Sequence, residues 1–266
     1  MILFTAALVF IFGSIIGSFL SVVTYRLDKE DRGMVFGRSI CPNCKQKIKW
    51  RHLVPIFSWL FLRGKCANCG KNISFHYLAL EVITGIIFAV IFLRWNFIDT
   101  IPINGINWEI FQQFFFYIIE FSFLVAIFFY DFLHKEIPDK LSLPAIVIAF
   151  AGGWIFNSPT IMNMLIGGGS IAAFFLLQFL LSKGAWIGGG DIRLGALIGI
   201  LLGWELGLLA TVIAYFSGAI ISIPLLLQKK LTRKSTIPFG PFLIFGATIS
   251  LFFGTKILEW YFSTLI

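Results

Sequence analysis

Charged residues are scarce in this chain. Asp, Glu, Lys and Arg make up 13% of the 266 residues, whereas hydrophobic residues make up 58%. Soluble domains carry about 25% charged residues, so this chain has too few to cover a surface that faces water. The shortage excludes an ordinary soluble domain, a disordered chain and a secreted disulfide scaffold. The composition therefore indicates an integral membrane protein.

Long apolar runs alternate with short polar loops. A helix needs roughly 20 apolar residues to cross a bilayer core of about 30 Å, and about eight runs reach or approach that length. They cover residues 2–24, 76–93, 112–130, 141–156, 160–181, 192–204, 206–228 and 240–262. The runs are solid rather than alternating, which favours helices over a barrel. The sequence predicts an all-α polytopic membrane protein with about eight transmembrane helices, of which the sixth is the shortest.

The first run, residues 2–24, resembles a signal peptide in its hydrophobicity. No basic residue precedes it, however, and the positive cluster follows it instead. A signal peptide has the opposite order, with its positive charges before the apolar segment. We therefore expect a retained first span.

Basic residues concentrate in alternate loops. They are Arg26, Lys29, Arg32, Arg38, Lys45, Lys47, Lys49, Arg51, Arg63, Lys65, Lys71, Lys135, Lys140, Lys183, Arg193, Lys229, Lys230, Arg233 and Lys234. Cytoplasmic loops of membrane proteins carry an excess of Lys and Arg, so eight spans with both termini outside place all these loops in the cytoplasm. The net charge of +8 then reflects topology and attraction to anionic lipid, and we expect no nucleic acid partner.

The one sizeable polar stretch, residues 25–75, holds all four cysteines. They form two Cys-x-x-Cys pairs, Cys41 with Cys44 and Cys66 with Cys69. Two such pairs supply the four sulfurs of a tetrahedral zinc site, although residues 45–65 make a linker slightly longer than the usual spacing of about 15–20. Redox dithiols or structural disulfides are the alternative, but a cytoplasmic insert is kept reduced. The motif predicts a structural zinc with a closed ligand shell.

Two aspartates lie at predicted cytoplasmic helix ends. Asp131 follows the third apolar run, and Asp191 follows three consecutive glycines. Acidic residues at a membrane are candidates for function, and two adjacent carboxylates can share one proton, activate water and polarise a carbonyl. The alternative is that Asp131 is an ordinary loop acid and that Asp191 only caps a helix.

Other polar or glycine-rich positions have simpler interpretations. The run Gly167-Gly168-Gly169 has no acid after it and is typical of a close helix-packing surface. Glu81 is expected to face the bundle or the cytoplasmic opening and Glu120 to face inward, because a charged group facing lipid is costly. His76 is given no metal-binding role.

Six segments in the same order along the chain resemble the type IV prepilin peptidase family. They are Gly17-Ser18-Phe19-Leu20 with Tyr25-Arg26-Leu27, the paired Cys-x-x-Cys motifs, Ser74, Tyr77 and Glu81 with Thr84-Gly85, Asp131 with Ile137-Pro138-Asp139, Gly188-Gly189-Gly190-Asp191-Ile192-Arg193-Leu194, and Pro238-Phe239-Gly240-Pro241-Phe242. Together they extend over nearly the whole chain.

The resemblance implies a bifunctional enzyme of the bacterial inner membrane. It implies cleavage of the basic leader of type IV prepilins or pseudopilins on the cytoplasmic side, followed by methylation of the new N-terminal amine with S-adenosylmethionine. It implies that Asp131 and Asp191 are the catalytic aspartates and that Cys41, Cys44, Cys66 and Cys69 form the metal cluster. The expected domains are a first helix at 1–24, a zinc-binding insert at 25–75 and a seven-helix peptidase domain at 76–266.

Two other functions remain open from the residues. One is a different Gly-x-Gly-Asp intramembrane aspartyl protease with unrelated substrates. The other is a non-enzymatic transporter or scaffold whose acids form a proton path. The cysteine pairs and the N-terminal motif favour the prepilin peptidase family over the first, and the second predicts that no cleavage occurs.

Overall fold

The computed structural model describes residues 2–29, 37–95, 107–228 and 237–265, and within these ranges it contains helices and no β-strand. The helices are α1 (Ile2–Lys29), α2 (Phe57–Phe61), α3 (Phe75–Arg94), α4 (Trp108–His134), α5 (Asp139–Phe156), α6 (Ile161–Ser182), α7 (Gly189–Leu227) and α8 (Gly240–Leu265), with a 3₁₀ turn at Trp50–His52. Seven of them, all except α2, are long and apolar enough to cross a membrane. The predicted all-α polytopic fold is confirmed.

The basic residues Arg32, Lys229, Lys230, Arg233 and Lys234 lie outside the described residues. By compactness the chain divides into two units, Met1–Phe129 and Tyr130–Ile266. The second unit begins near the end of α4 and contains both Asp131 and Asp191. The predicted segments 1–24, 25–75 and 76–266 divide the chain by expected function rather than by compactness, and they stay a prediction.

In the first unit, α1 and α3 pack through small residues. A side chain on Gly13 would collide with the backbone of Gly85, and one on Gly17 would collide with the backbone of Glu81. Position 13 of α1 thus faces position 85 of α3, and position 17 faces position 81, so the two helices are antiparallel. The end of α1 and the start of α3 therefore lie at the same end, and the cysteine-bearing insert joins them there.

The long helix α7 folds back on itself at Gly203. This residue has φ 77° and ψ −179°, a conformation open to glycine. A Cβ on Gly207 would lie 3.3 Å from the Cα of Gly199, whereas eight residues of straight helix rise about 12 Å. The predicted sixth and seventh runs are therefore two arms, residues 189–202 and 204–227. The first arm, about 21 Å long at 1.5 Å per residue, is shorter than a full span.

The second unit brings three predicted cytoplasmic loops to one end. The first arm of α7 runs antiparallel to α6, since Gly195 contacts Phe175 and Gly199 contacts Gly167. The second arm turns back, and α8 runs antiparallel to it, since Gly218 lies opposite Phe242 and Gly254 opposite Leu206. The end of α6 and the starts of α7 and α8 consequently lie together. Ile137, between α4 and α5, joins them through contacts at Gly190 and Gly240.

The glycine run of α6 makes the close packing expected of it at two of its three positions. A Cβ on Gly167 would lie 2.4 Å from the carbonyl oxygen of Gly199, and one on Gly168 would lie 2.7 Å from the Ile200 side chain. A Cβ on the exposed Gly169 would meet nothing within 4 Å. Close packing thus requires glycine at 167 and leaves 169 free to vary.

Gly167→Ala is expected to destabilise the protein by about 1–3 kcal/mol, because the new methyl group must displace backbone on the first arm of α7. The matched control Gly169→Ala should be neutral or stabilise by up to about 1 kcal/mol through helix propensity. Thermal unfolding in detergent measures the difference. Equal midpoints for the two variants would show that α6 and α7 do not pack as described.

Candidate functional site

Asp131 is fixed at the end of α4 by a backbone donor distant in sequence. Its side chain is 3% exposed, and its Oδ2 accepts a hydrogen bond of 3.0 Å from the N–H of Gly240. Gly240 begins α8, so this N–H is one of the donors that a helix start leaves without an intrahelical partner. A Cβ on Gly240 would lie 2.5 Å from the same Oδ2. The contact therefore requires glycine.

Asp191 lies in the first turn of α7 and caps it. Its Oδ2 accepts a hydrogen bond of 3.0 Å from the N–H of Gly188, which is the N-cap residue of the helix. The side chain is 8% exposed. The capping role considered from the sequence is thus present. It occupies one carboxylate oxygen and leaves the other, Oδ1, available.

The structure brings the two aspartates together within the second unit. Their carboxylates interact electrostatically, although residues 132–190 separate them in the sequence. Asp191 lies at the start of α7, and the Asp131 carboxylate faces the start of α8, where the helix dipole favours negative charge. Ile137 lies beside both anchors, because a side chain on Gly190 would collide with it and one on Gly240 would contact it.

An ion pair holds the segment between α4 and α5 against α7. Arg193 pairs with Asp139 and donates a hydrogen bond of 3.4 Å to the carbonyl of Ile137. Because Arg193 lies two residues after Asp191, this pair connects the segment that follows one aspartate to the helix that carries the other. Asp139 is 58% exposed and Arg193 is 36% exposed, so the pair is at the surface of the site.

The four cysteines converge in the first unit. The sulfurs of Cys41, Cys44, Cys66 and Cys69 all lie within 4.8 Å of one another, and the sulfurs of Cys41 and Cys69 are 4.0 Å apart. Zinc–sulfur bonds of about 2.3 Å in a tetrahedron place the sulfurs roughly 3.8 Å apart. The cluster thus has the donor set and the size of a Cys₄ zinc centre.

The two cysteine turns share one local structure. In the first, the Cys41 N–H donates to the Gln46 carbonyl and the Lys45 N–H donates to the Cys41 carbonyl. In the second, the Cys66 N–H donates to Lys71 and the Gly70 N–H donates to Cys66. Lys45 and Gly70 both have positive φ, 54° and 68°. This repeated turn points both sulfurs of each pair toward one centre.

Hydrogen bonding prepares the sulfurs for a cation. The Lys71 N–H, followed by the Asn43 side-chain amide, lowers the pKa of the Cys69 thiol to about 6, and the Asn43 amide lies 3.6 Å from that sulfur. Backbone donors also lower the pKa of Cys41. Metals bind the thiolate form, so these two cysteines favour the ligating state, whereas burial and the neighbouring sulfurs raise the pKa of Cys44 to about 11.

The insert has little core of its own. Of its described residues 37–74, Cys41 and Gly64 are the two that are buried. So small an interior supplies little hydrophobic stabilisation, and a bound metal contributes folding free energy directly in such domains. Zinc held by these cysteines would therefore be structural. With four sulfur ligands it has no open position for water.

Glu81 attaches the insert to the membrane helices. Its Oε2 accepts a hydrogen bond of 2.7 Å from the N–H of Ile56, which is the N-cap residue of α2. Ile56 has φ 62°, an uncommon conformation for a β-branched residue. Sequence reasoning expected Glu81 to face the bundle or the cytoplasmic opening and did not give it this partner. Glu120 is fully buried in α4, as expected, and has no assigned role.

Sequence reasoning also missed how the aspartates are held. Gly240 was noted only as part of the segment Pro238-Phe239-Gly240-Pro241-Phe242, and no local pattern pairs it with Asp131, which lies far from it in the sequence. The ion pair of Arg193 with Asp139 likewise joins two motifs that were read separately. Both contacts depend on the antiparallel packing of helices.

Comparisons with known proteins match both halves of the chain. A family model described as the bacterial peptidase A24 N-terminal domain matches residues 11–95, and one described as the type IV leader peptidase family matches residues 118–223. The second range includes both aspartates. No solved structure matches the chain.

Similar curated proteins share the name prepilin leader peptidase/N-methyltransferase. The one from Xanthomonas campestris pv. campestris is 30% identical, over 94% of this chain and 91% of its own length. The one from Bacillus subtilis (strain 168) is 29% identical over 96% and 97%. The one from Aeromonas salmonicida (strain A449) is 28% identical over 98% and 94%.

Cys69→Ser is expected to remove most of the bound zinc, because three sulfurs and a hydroxyl make a much weaker site than four sulfurs. The purified protein should hold about one zinc before the change, as a single Cys₄ centre binds one ion, and little after it. Elemental analysis measures the ratio. His52→Ala, which removes a potential ligand outside the cluster, should leave the zinc content unchanged. Equal loss in both variants would exclude the Cys₄ centre.

Proposed function

Because this chain belongs to the type IV leader peptidase family, we propose that it cleaves the leader from type IV prepilins or pseudopilins and then N-methylates the new N-terminal residue. The curated relatives carry both activities in their name, and they align over nearly their full length. The two halves that match separate family models agree with two activities on one chain.

The pairing of Asp131 with Asp191 is the observation that carries the peptidase proposal. Each carboxylate is buried and is anchored through Oδ2 by a glycine N–H. Within the described residues neither Oδ1 has a hydrogen bond. Two fixed carboxylates whose remaining oxygens are available are what an aspartic peptidase needs to hold one water molecule and one peptide carbonyl.

The proposed hydrolysis uses the two carboxyl groups in different protonation states. Adjacent carboxylates ionise together only at high cost, so the pair shares one proton. The ionised carboxylate takes a proton from the water molecule while the water oxygen attacks the carbonyl carbon of the peptide bond. The protonated member donates a hydrogen bond to the carbonyl oxygen. The proton taken from water is then transferred to the leaving nitrogen as the C–N bond breaks.

The position of the pair suits a substrate at a membrane boundary. Both aspartates lie where helices begin or end, so a peptide there need not compete with continuous helix for space. We infer that this end faces the cytoplasm of the inner membrane, because Lys135, Lys140, Lys183 and Arg193 lie in its loops or in the adjoining helix ends and basic residues at membrane boundaries concentrate inside. A short basic leader would lie in the same compartment.

The methyl-transfer half rests on the relatives' name. In that reaction the co-substrate S-adenosylmethionine transfers its methyl group to the new N-terminal amine, which loses a proton. The cysteine cluster belongs to the first unit, which matches the N-terminal family model. Zinc there would hold the insert in shape. The substrate of methyl transfer would be the membrane-embedded pilin that the peptidase releases from its leader.

Asp131→Asn and Asp191→Asn should each lower the cleavage rate by about 10²–10⁴-fold, the usual contribution of a general acid or base. The amide keeps the size of the side chain and removes its proton transfer. Purified enzyme is incubated with a prepilin and S-adenosylmethionine, and mass spectrometry measures the product. Glu205→Gln, which alters an exposed acid at the turn of α7, is the control and should retain full activity.

The same spectra test the second activity. The wild-type product should lack the leader and be heavier by one methylene unit than the unmodified mature pilin. Continued cleavage by either Asn variant would exclude the aspartate pair, whereas a cleaved but unmethylated product would exclude only methyl transfer. Absence of cleavage by the wild-type enzyme would favour the transporter or scaffold alternative.

Gly240→Ala tests the anchor of Asp131. Its methyl group would overlap the Oδ2 that the Gly240 N–H holds, and displacing a catalytic group by about 1 Å can cost about a hundredfold in rate. We expect kcat to fall by up to that factor. Gly189→Ala, at a helix start where a Cβ meets nothing within 4 Å, should retain the wild-type rate. Equal rates for the two variants would show that the glycine contact does not position Asp131.

A further inference from the structure

A cavity of about 450 Å³ lies in the second unit between α6, the second arm of α7 and the start of α8. Its size falls within the range of small-ligand pockets, about 300–1,000 Å³. Its lining is mainly apolar and aromatic, with Tyr215 and Phe239 among the walls and Gly218 and Ser222 on the α7 side. Neither proposed activity assigns a role to it.

The cavity borders both anchors of the aspartate pair. Ile187, in its wall, directly precedes Gly188, whose N–H holds Asp191. Phe239, also in its wall, directly precedes Gly240, whose N–H holds Asp131. Tyr215 is close enough to Asp191 for an electrostatic interaction. A peptide gripped by the two carboxylates would therefore have a neighbouring residue beside this cavity.

The aromatic wall is fixed in place. The ring of Tyr215 lies 5.0 Å from that of Phe239 and 6.1 Å from that of Phe174, centroid to centroid. The Tyr215 hydroxyl donates a hydrogen bond of 2.8 Å to Oε1 of Gln178. These contacts fix the positions of the two rings, so a bound side chain could pack against them without moving them.

Gln178 also presents a donor without a partner. Its Nε2 is buried and has no hydrogen bond within the described part of the chain. A buried polar group left unsatisfied is destabilising. A peptide carbonyl entering the cavity region would satisfy this donor, whereas a lipid tail would not.

The geometry points to a substrate subsite: the cavity receives an apolar side chain from the first residues after the scissile bond, and the Gln178 amide binds the backbone there. This inference rests on the proposed peptidase function and adds the position of its substrate. The basic leader needs a polar environment, whereas the start of the pilin's apolar segment matches an apolar, aromatic wall. The residues after the cleavage point therefore fit better than those before it.

Gly218 makes a sharp test possible. A Cβ there would lie 3.6–3.9 Å from the Phe242 ring, which is ordinary contact, so Gly218→Ala should fold normally. Gly218→Leu would project further into the cavity. We expect KM for a prepilin with a large apolar residue after the scissile bond to rise at least tenfold in Gly218→Leu, the usual scale of pocket discrimination, with a smaller rise in Gly218→Ala. The value of kcat should change little.

Substrate size provides the complementary measurement. Prepilins in which the first residues after the cleavage point are changed to alanine should bind Gly218→Leu about as well as they bind wild type. The control Gly169→Leu, on α6 where a Cβ meets nothing, should leave both KM values unchanged. If Gly218→Leu cleaves both substrates like wild type, the subsite is excluded. If wild type cleaves neither substrate, the peptidase proposal itself fails.

Photo-crosslinking locates the substrate directly. A benzoylphenylalanine at Ser222, in an Asp191→Asn enzyme that holds uncleaved prepilin, should crosslink to the residues just after the cleavage point. The same probe at Leu208, which is 53% exposed at the other end of the second arm, should not crosslink to those residues. Crosslinks from Ser222 to the leader, or equal crosslinks from both positions, would overturn the inference.

Discussion

Two backbone hydrogen bonds from glycine determine the geometry on which the proposed chemistry depends. Each holds Oδ2 of one buried aspartate at 3.0 Å, Gly240 for Asp131 and Gly188 for Asp191. A carboxylate side chain alone has rotamer freedom, and burial next to a second carboxylate is unfavourable for its charge. An N–H at a helix start offsets the rotamer freedom because it fixes one oxygen. It also offsets the unfavourable burial of the charge because it places a positive partial charge beside that oxygen. The remaining oxygens are then oriented without any charged partner.

This arrangement explains why glycine recurs around the pair. At Gly240 a side chain would occupy the position of the Asp131 oxygen, and at Gly190 it would occupy the position of Ile137. At Gly203 the positive φ lets α7 reverse, which brings Asp191 to the same end as the start of α8. The three glycines act at different distances from the site, but each removes a steric barrier to the approach of Asp131 and Asp191.

The sequence was sufficient for the elements that depend on composition and local spacing. Apolar runs predicted the membrane helices, and the two Cys-x-x-Cys turns predicted the sulfur cluster, because both follow from residues that are close in the chain. The sequence was not sufficient for contacts made by packing. The hydrogen bond from Gly240 to Asp131 and the one from Ile56 to Glu81 join backbone groups to side chains on other helices, and no local periodicity encodes such pairs. The sixth and seventh runs were correctly separated, since α7 reverses at Gly203, but the sequence did not show that the two arms pack against each other.

The same principle governs the insert in the first unit, where a carboxylate again receives a backbone N–H at a helix start. Ile56 donates to Glu81, and it does so with a left-handed backbone that a β-branched residue adopts at a cost of order 1–3 kcal/mol. An insert with almost no buried residues cannot offset that cost by its own packing. The cysteine cluster and the Glu81 contact therefore support each other: the cluster lies within the insert, where a bound metal would fix its shape, and the carboxylate fixes the position of the insert on α3. Loss of either would leave the other holding a segment that has no core to keep it folded.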